Sequence, residues 1–114
     1  MQNCVFCDIA ARKLKATICF EDELVIAFDD IEPKAPIHKL IIPKQHIATL
    51  NEVTPEHSKL LGHMIWVAKK LAGELGISTE GYRTVFNCNP AGGQMVFHIH
   101  LHLLGGRQML WPPG

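Results

Sequence analysis

Apolar residues recur along the chain at spacings that change between strand-like and helix-like. Several short apolar runs end at turn or proline residues, and each predicts one β-strand: 17–20, 24–28, 38–42, 82–87 and 97–104. The first three runs follow one another through short connections, which is typical of antiparallel pairing. We therefore expect a five-stranded antiparallel sheet.

Two helices complete the predicted architecture. The longer helix begins at Thr54, which can cap it, has Pro55 in its first turn, and ends at Gly76. Its apolar residues lie three and four positions apart and predict a stripe that packs on the sheet: Leu61, Met64, Ile65, Ala68, Leu71, Ala72 and Leu75. A short helix is expected at 6–11. These elements predict an α+β fold in a single domain over residues 1–114.

The last predicted strand carries three histidines among apolar residues. Because side chains alternate faces in a strand, His98, His100 and His102 are expected to project together. The intervening residues are expected to enter the core: Phe97, Ile99, Leu101 and Leu103. Neutral imidazole is a nucleophile, a proton carrier or a metal ligand near neutral pH. The alternatives are a purely metal-binding row and a solvent face, although solvent faces ordinarily carry Lys, Glu and Thr.

Composition narrows the class of protein. The 114 residues include 11 basic and 11 acidic side chains, so no broad basic surface indicates binding to nucleic acid or to a membrane. No apolar span approaches the length of a transmembrane helix, and the first residues lack the order of a signal peptide. We expect a cytoplasmic protein.

The four cysteines fit that compartment if they stay reduced or bind metal. Cys4 and Cys7 have the spacing of a zinc knuckle, which supplies half of a tetrahedral site. The alternative is a reduced apolar pair that packs the first helix. Cys19 and Cys88 lie in strand-like runs, and we interpret them as small buried hydrophobic residues.

Several of these residues together resemble a known family. The His-x-His-x-His run follows Gly92-Gly93-Gln94 and has His38 and Asn87 upstream, which resembles the histidine triad (HIT) superfamily. The tail Gly-Gly-Arg-Gln-Met-Leu-Trp-Pro-Pro-Gly at 105–114 is similar to that of the nucleotide-binding branch that acts as purine nucleoside phosphoramidases. The resemblance extends from about residue 6 to residue 114.

The resemblance implies hydrolysis of the P–N bond of purine nucleoside 5′-phosphoramidates, including adenosine phosphoramidate and aminoacyl-AMP types, to a nucleoside monophosphate and an amine. It assigns the attack on phosphorus to His100, through a covalent nucleotidyl-histidine. His102 would face the phosphate oxygens, and His38 would assist orientation and proton movement. No cofactor is implied for catalysis.

The family also implies a nucleotide pocket. Asp30 looks like the carboxylate that receives the ribose hydroxyls, although it has a rival role as a cap of its own loop. The wall around the purine base would comprise Val5, Phe6, Ile9, Phe28, Ile31 and Leu40. Asn87, Gly93, Gln94 and Trp111 complete the expected nucleotide-binding set. Met95 departs from the pattern, since many relatives have a serine or threonine there, and its loss of a hydroxyl could lower the rate or change leaving-group preference.

In some relatives that have the N-terminal cysteine pair, zinc is completed by a histidine after a Pro-Lys turn and by the first triad histidine. The equivalents here are His46 and His98, which implies a structural Cys2His2 zinc site with Cys4 and Cys7.

The resemblance further implies a twofold homodimer with a continuous sheet, in which the 105–114 tail docks on the partner subunit. Two rival functions remain: a dinucleoside polyphosphate hydrolase, and a non-catalytic regulatory module that binds zinc and nucleotide.

Overall fold

The computed structural model describes residues 3–114, which form one antiparallel sheet and two α-helices. The strands are β1 (Ile18–Glu21), β2 (Val25–Asp29), β3 (Ile37–Pro43), β4 (Tyr82–Phe86) and β5 (Leu101–Gly105), and the helices are α1 (Val5–Ala10) and α2 (Ser58–Glu74). The strand order is β1-β2-β3-β5-β4, with every neighbouring pair antiparallel. The predicted α+β fold with a five-stranded sheet, one long helix and one short helix is confirmed. Among the described residues, no helix is long and apolar enough to cross a bilayer.

Helix α2 covers one face of the sheet. A 3-10 turn at Pro55–His57 leads into it, and the left-handed backbone of Gly76 (φ +76°) follows its end. Its buried stripe comprises Met64, Val67, Ala68, Leu71 and Ala72. The predicted stripe was wrong at Ile65, which is 53% exposed, because that position is rotated about 100° from its buried neighbour.

The two faces of the sheet support separate apolar layers. Successive residues of β2 point to opposite sides: Val25 and Ala27 pack toward α2, while Ile26 and Phe28 pack toward α1. The layer around α1 also contains Leu40 and Ile42 of β3. Since β2 and β3 are covered on both faces, they form the buried centre of the fold, and the candidate site lies on the α1 side.

The histidine-rich run is only partly a strand. Strand β5 begins at Leu101, so the predicted strand at 97–104 was wrong in its first half. The N–H of Ile99 donates to the carbonyl of Ile47 (2.8 Å), and the ring of His100 donates to the carbonyl of His98. These bonds hold the segment before Leu101 in place of the hydrogen bonds of a strand. Phe97 was predicted to enter the core, but it is 43% exposed, whereas Ile99 is buried in the core as predicted.

The interpretation of two cysteines as buried hydrophobic residues also was wrong. Cys19 is exposed and Cys88 is only partly buried. Cys19 lies on β1, an edge strand whose residues are alternately half-buried and exposed, and Cys88 lies in the loop after β4. Edge strands and loops leave such side chains partly in contact with solvent.

Candidate active site and metal site

A cavity of about 790 Å³ opens on the α1 side of the sheet. Most of the residues predicted for the nucleotide site line it: Val5, Phe6, Ile9, Phe28, Asp30, Ile31, His38, Leu40, Asn87, Gly93, His100 and His102. The ring of Phe6 stands edge-on to Phe28, with centroids 5.4 Å apart, and to His100 at 5.1 Å. The cavity therefore has an apolar end at α1 and an imidazole cluster beside it.

The tautomer of His38 is determined by the loop that precedes β3. The backbone N–H of Lys34 donates to Nδ1 of His38 (3.0 Å), so the ring proton of neutral His38 lies on Nε2. That Nε2 lies 2.9 Å from Nδ1 of His102 and 3.3 Å from Oδ2 of Asp30. His38 therefore donates toward His102 and Asp30.

His102 is thereby fixed in turn. Since its Nδ1 accepts from His38, neutral His102 carries its proton on Nε2. Among the buried side-chain nitrogens and oxygens of residues 3–114, this Nε2 is the one without a hydrogen-bond partner. A buried, unpaired N–H beside a cavity is costly unless a ligand accepts from it. Since His102 lines the cavity, its Nε2–H is a donor that an anionic oxygen of a ligand would satisfy.

His100 has the opposite polarity. Its Nδ1 lies 2.8 Å from the carbonyl oxygen of His98, and a carbonyl only accepts, so Nδ1 carries the proton. Nε2 of His100 is left with a free lone pair, which is the nucleophilic form of the ring. The rings of His100 and His102 are neighbours, with centroids 4.9 Å apart.

Burial keeps these imidazoles neutral. It lowers the pKa of His38, against the opposing effect of Asp30, and it lowers the pKa of His100. Burial, reinforced by the neighbouring His100 and His38, lowers the pKa of His102 to about 4. Near neutral pH the cluster therefore consists of neutral rings with defined tautomers.

Asp30 sits between the two roles considered for it. Its Oδ1 accepts the N–H of Glu32 (2.8 Å), which is the loop-capping interaction, while Oδ2 faces His38. The residue also lines the cavity, so its remaining lone pairs stay available to a ligand hydroxyl.

Gln94 does not line the cavity, unlike the other loop residues predicted for the site. Its side chain is buried, accepts from the N–H of Asn89 (2.8 Å) and donates to the carbonyls of Ala48 (2.8 Å) and Val96 (3.0 Å). These bonds hold the loop between β4 and β5. Gly93, at φ +88°, and Met95, which is 86% exposed, both line the cavity on the part of the chain that Gln94 anchors.

The tail is tied down at its start and exposed at its end. Arg83 Nη2 donates to the carbonyl of Leu110 (2.9 Å), and Arg107 Nε donates to that of Lys34 (3.0 Å). Trp111, predicted for the nucleotide site, is 82% exposed and does not line the cavity of its own chain, whereas Pro113 does.

The four residues predicted to bind zinc meet at the other end of the site. Cys4 Sγ lies 3.4 Å from Nδ1 of His98, Cys7 Sγ lies 3.3 Å from Nδ1 of His46, and the two Nδ1 atoms are 3.2 Å apart. A tetrahedral zinc with ordinary Zn–S and Zn–N bonds separates its ligands by roughly 3.3–3.8 Å. The four side chains therefore fit a closed Cys2His2 site.

Hydrogen bonds support that assignment. The Nε2 of His98 lies 2.7 Å from the carbonyl of Pro43, so Nε2 carries the proton and Nδ1 offers its lone pair to the group. Burial and the neighbouring Cys4 raise the pKa of the Cys7 thiol to about 11. A cation beside Cys7, as a divalent metal bound by the group would provide, favours the thiolate form of this side chain.

A second group with metal-like spacing is unsuited to a metal. Within residues 3–114, the donor atoms of Asp30, His38 and His102 also lie within 4.8 Å of one another. However, the Lys34 N–H occupies Nδ1 of His38, so the Nε2 that faces the group carries a proton. A metal there would require an imidazolate or the loss of that backbone bond.

Sequence reasoning missed the main-chain groups that set these tautomers. The N–H of Lys34 and the carbonyls of Pro43 and His98 act independently of side-chain identity. The only available signal was the proline pair around Lys34 and the proline that ends β3, which restrict the backbone at these points.

Comparisons with known proteins agree with this geometry. The family model "Scavenger mRNA decapping enzyme C-term binding" matches residues 3–111. The crystal structure of a HIT family hydrolase from Legionella pneumophila superposes with a TM-score of 0.97 at 60% identity, covering 98% of this chain and 100% of that one. The purine nucleoside phosphoramidase of Escherichia coli is 49% identical over 108 residues, 95% of this chain and 91% of that protein. A 14 kDa zinc-binding protein of Zea mays is 47% identical over 112 residues, 96% and 87% of the two chains.

Proposed function

The chain belongs to the histidine triad (HIT) family, whose relatives include hydrolases, and on that premise we propose that it hydrolyses the P–N bond of purine nucleoside 5′-phosphoramidates. The products are a nucleoside monophosphate and an amine. The observation that carries this proposal is the tautomer of His100, whose Nδ1–H is held by the carbonyl of His98. This bond leaves Nε2 free for attack.

In the first step, Nε2 of His100 attacks phosphorus, the P–N bond breaks, and the nucleotidyl group is transferred to the ring. The hydrogen bond from Nδ1–H to the His98 carbonyl stabilises the positive charge that develops on the imidazole. The unpaired Nε2–H of His102 donates to a phosphate oxygen as the trigonal-bipyramidal charge develops.

The departing nitrogen needs a proton. Although burial lowers the pKa of His102 to about 4, an anionic phosphate beside the ring favours its cationic form. A cationic His102 carries a proton on both nitrogens, so in the substrate complex His38 donates its Nε2–H to Oδ2 of Asp30 (3.3 Å) and no longer to His102, and Nε2–H of His102 passes its proton to the amine. Water then attacks the phosphorus of nucleotidyl-His100 and gives a proton to the Nε2 of His102 that the amine left unprotonated; the bond between phosphorus and the His100 ring breaks, which releases the monophosphate and restores the free ring.

The nucleoside end of the substrate fits the apolar end of the cavity. Phe6, Ile9, Phe28 and Leu40 offer a wall for a purine base, and Asp30 offers a carboxylate for the ribose hydroxyls. Gly93 lines the cavity without a side chain, which leaves room for the phosphate beside the loop.

The Cys4–Cys7–His46–His98 group is proposed as a structural zinc site. Zinc bound there would supply no catalytic water, since four protein ligands complete its shell, but it would stabilise the fold by joining the first helix to the segments after β3 and before β5.

A homodimer is proposed as well, because Leu110 and Trp111 expose apolar surface at the end of an otherwise anchored tail.

The test is mass spectrometry of protein quenched during turnover of adenosine 5′-phosphoramidate. We expect an added nucleoside monophosphate on the peptide that contains residues 98–102. His100→Asn should abolish both the adduct and turnover while the protein still binds AMP; His63→Asn, on the helix across the sheet, is the matched control. Turnover without an adduct on this peptide would refute the mechanism. Faster cleavage of a dinucleoside polyphosphate would favour the rival hydrolase, and AMP binding with no turnover would favour the regulatory module.

A further inference from the structure

His98 belongs to both groups of side chains. Its ring contributes Nδ1 to the Cys2His2 group and donates from Nε2 to the carbonyl of Pro43 (2.7 Å), while its own carbonyl accepts from Nδ1 of His100 (2.8 Å). We propose that the Cys4–Cys7–His46–His98 group, when it holds a metal, positions the nucleophile by fixing the carbonyl of His98. Cys4, Cys7 and His46 are then positioning residues for His100, a role that rests on the proposed function for its kinetic consequences.

The segment around His98 lies outside the sheet and is held by side-chain and loop contacts, among them the bond from Nε2 of His98 to the Pro43 carbonyl (2.7 Å). The antiparallel ladder of β5 with β3 and β4 begins only at Leu101, so it does not hold residues 98–100. Two links join this stretch to the segment after β3: the approach of His98 to His46, with the two Nδ1 atoms 3.2 Å apart, and the hydrogen bond from Ile99 N–H to the Ile47 carbonyl (2.8 Å). A metal ion would turn the first link into two coordinate bonds.

The carbonyl of His98 selects which nitrogen of His100 can react. With the carbonyl in place, His100 carries its proton on Nδ1 and presents a lone pair at Nε2. If the carbonyl moves, Nε2 is free to take the proton, and in that tautomer the ring presents no lone pair to phosphorus. Loss of the metal would therefore lower the rate of the chemical step. Because His46 does not line the cavity, its replacement should leave nucleoside binding unchanged.

His46 is the appropriate position for a test. It is exposed, it does not line the cavity, and the hydrogen-bond partners of its ring within residues 3–114 are Cys7 and His98. His46→Ala removes one ligand without opening the core. His46→Cys restores a four-ligand set of a kind that zinc accepts, and it is the matched rescue variant.

Three measurements should be made on each full-length protein: zinc content, the 15N NMR shifts of the His100 ring, which report its tautomer, and kcat and KM for adenosine 5′-phosphoramidate. For His46→Ala we expect zinc to be lost, the His100 ring to lose its single Nδ1–H tautomer, and kcat to fall on the order of tenfold with KM changed less than about twofold. His46→Cys should restore all three properties.

Several outcomes would overturn the proposal. An unchanged His100 tautomer in zinc-free His46→Ala would show that the metal group does not position the ring. A rise in KM with unchanged kcat in His46→Ala would mean that the group acts on nucleotide binding and not on His100. Zinc binding by His46→Cys without recovery of kcat would mean that the bound metal does not position His100. If the wild-type protein does not turn over the substrate, the proposed function fails, while the NMR comparison still tests the coupling.

Discussion

His102 should make the protein lose stability as the pH falls below neutrality. Burial, aided by the nearby His100 and His38, lowers the pKa of this ring to about 4, whereas an unfolded chain leaves the pKa of histidine near its ordinary value of 6.5. The pKa is lower in the folded state, so protonation favours the unfolded state. The stabilisation is complete above pH 6.5 and is lost progressively as the pH falls toward 4.

The magnitude follows from the two pKa values. At pH 5.5 an unfolded chain with a pKa of 6.5 binds most of a proton at this position, while folded His102 binds almost none. The difference in the free energy of unfolding between pH 7.5 and pH 5.5 is then about 1 kcal/mol for this ring. In urea, such a change moves the unfolding midpoint by roughly 0.5–1 M.

The assay compares urea unfolding of the wild type and of His102→Asn at both pH values. Asparagine does not titrate, and its side-chain oxygen can still accept from Nε2 of His38, which lies 2.9 Å from Nδ1 of His102. Both proteins keep the same cysteine and histidine groups elsewhere, so pH effects at the metal site cancel in the difference. We expect the wild type to lose about 1 kcal/mol more than the variant between pH 7.5 and 5.5.

Equal losses in the two proteins would refute the reasoning. An NMR titration gives an independent check, since the His102 ring should titrate with a midpoint near 4. A midpoint near the ordinary histidine pKa of 6.5 would mean that the ring is not desolvated and that its unpaired Nε2–H contacts water.

Three further predictions concern the metal group, the end of β5 and the mouth of the cavity. Zinc-loaded protein should contain one metal per chain by mass spectrometry under native conditions; Cys7→Ser should remove it and Asp30→Asn should not, and a second equivalent sensitive to Asp30→Asn would contradict the tautomer argument. Gly105→Ala should destabilise the fold by about 1–3 kcal/mol in urea unfolding, because its Cβ would lie 3.3 Å from Ile77 Cβ and closer still to Ile77 Cδ1; combining it with Ile77→Val, which deletes Cδ1, should cost less than the sum of the two single changes, and simple additivity would contradict the clash. Met95→Ser should raise kcat most for amines that leave poorly, since a hydroxyl can pass a proton and a thioether cannot, and a uniform change across a series of leaving groups would argue against a role for Met95 in protonation.

Periodicity in the sequence was sufficient for the parts of the fold that pack by apolar contact alone. The five strands and both helices appear in the expected order, and the predicted core face of α2 is correct except at Ile65. A three-residue step from Met64 leads to Val67, which is the buried residue, so the spacing fitted both positions. The pattern failed at Phe97, since alternation over 97–104 predicts a strand whereas the first half of that segment is held by polar contacts. Gln94 is a similar case, because its amide is used to close the loop and not to contact the cavity.

The types of residue in the sequence indicated where the candidate site lies, whereas main-chain groups determine the tautomer of each histidine within it. His98, His100 and His102 are chemically identical, and their alternation gives no reason to expect different roles. The carbonyl of Pro43 gives His98 a free Nδ1, the carbonyl of His98 gives His100 a free Nε2, and His38, itself set by a backbone N–H, gives His102 a donating Nε2–H. In the proposed function, the three rings therefore serve as a ligand, a nucleophile and a donor because the backbone bonds to a different atom in each case. Since a backbone group is present at every residue, a motif of side chains can specify where such a site forms, whereas the path of the chain decides what each histidine does.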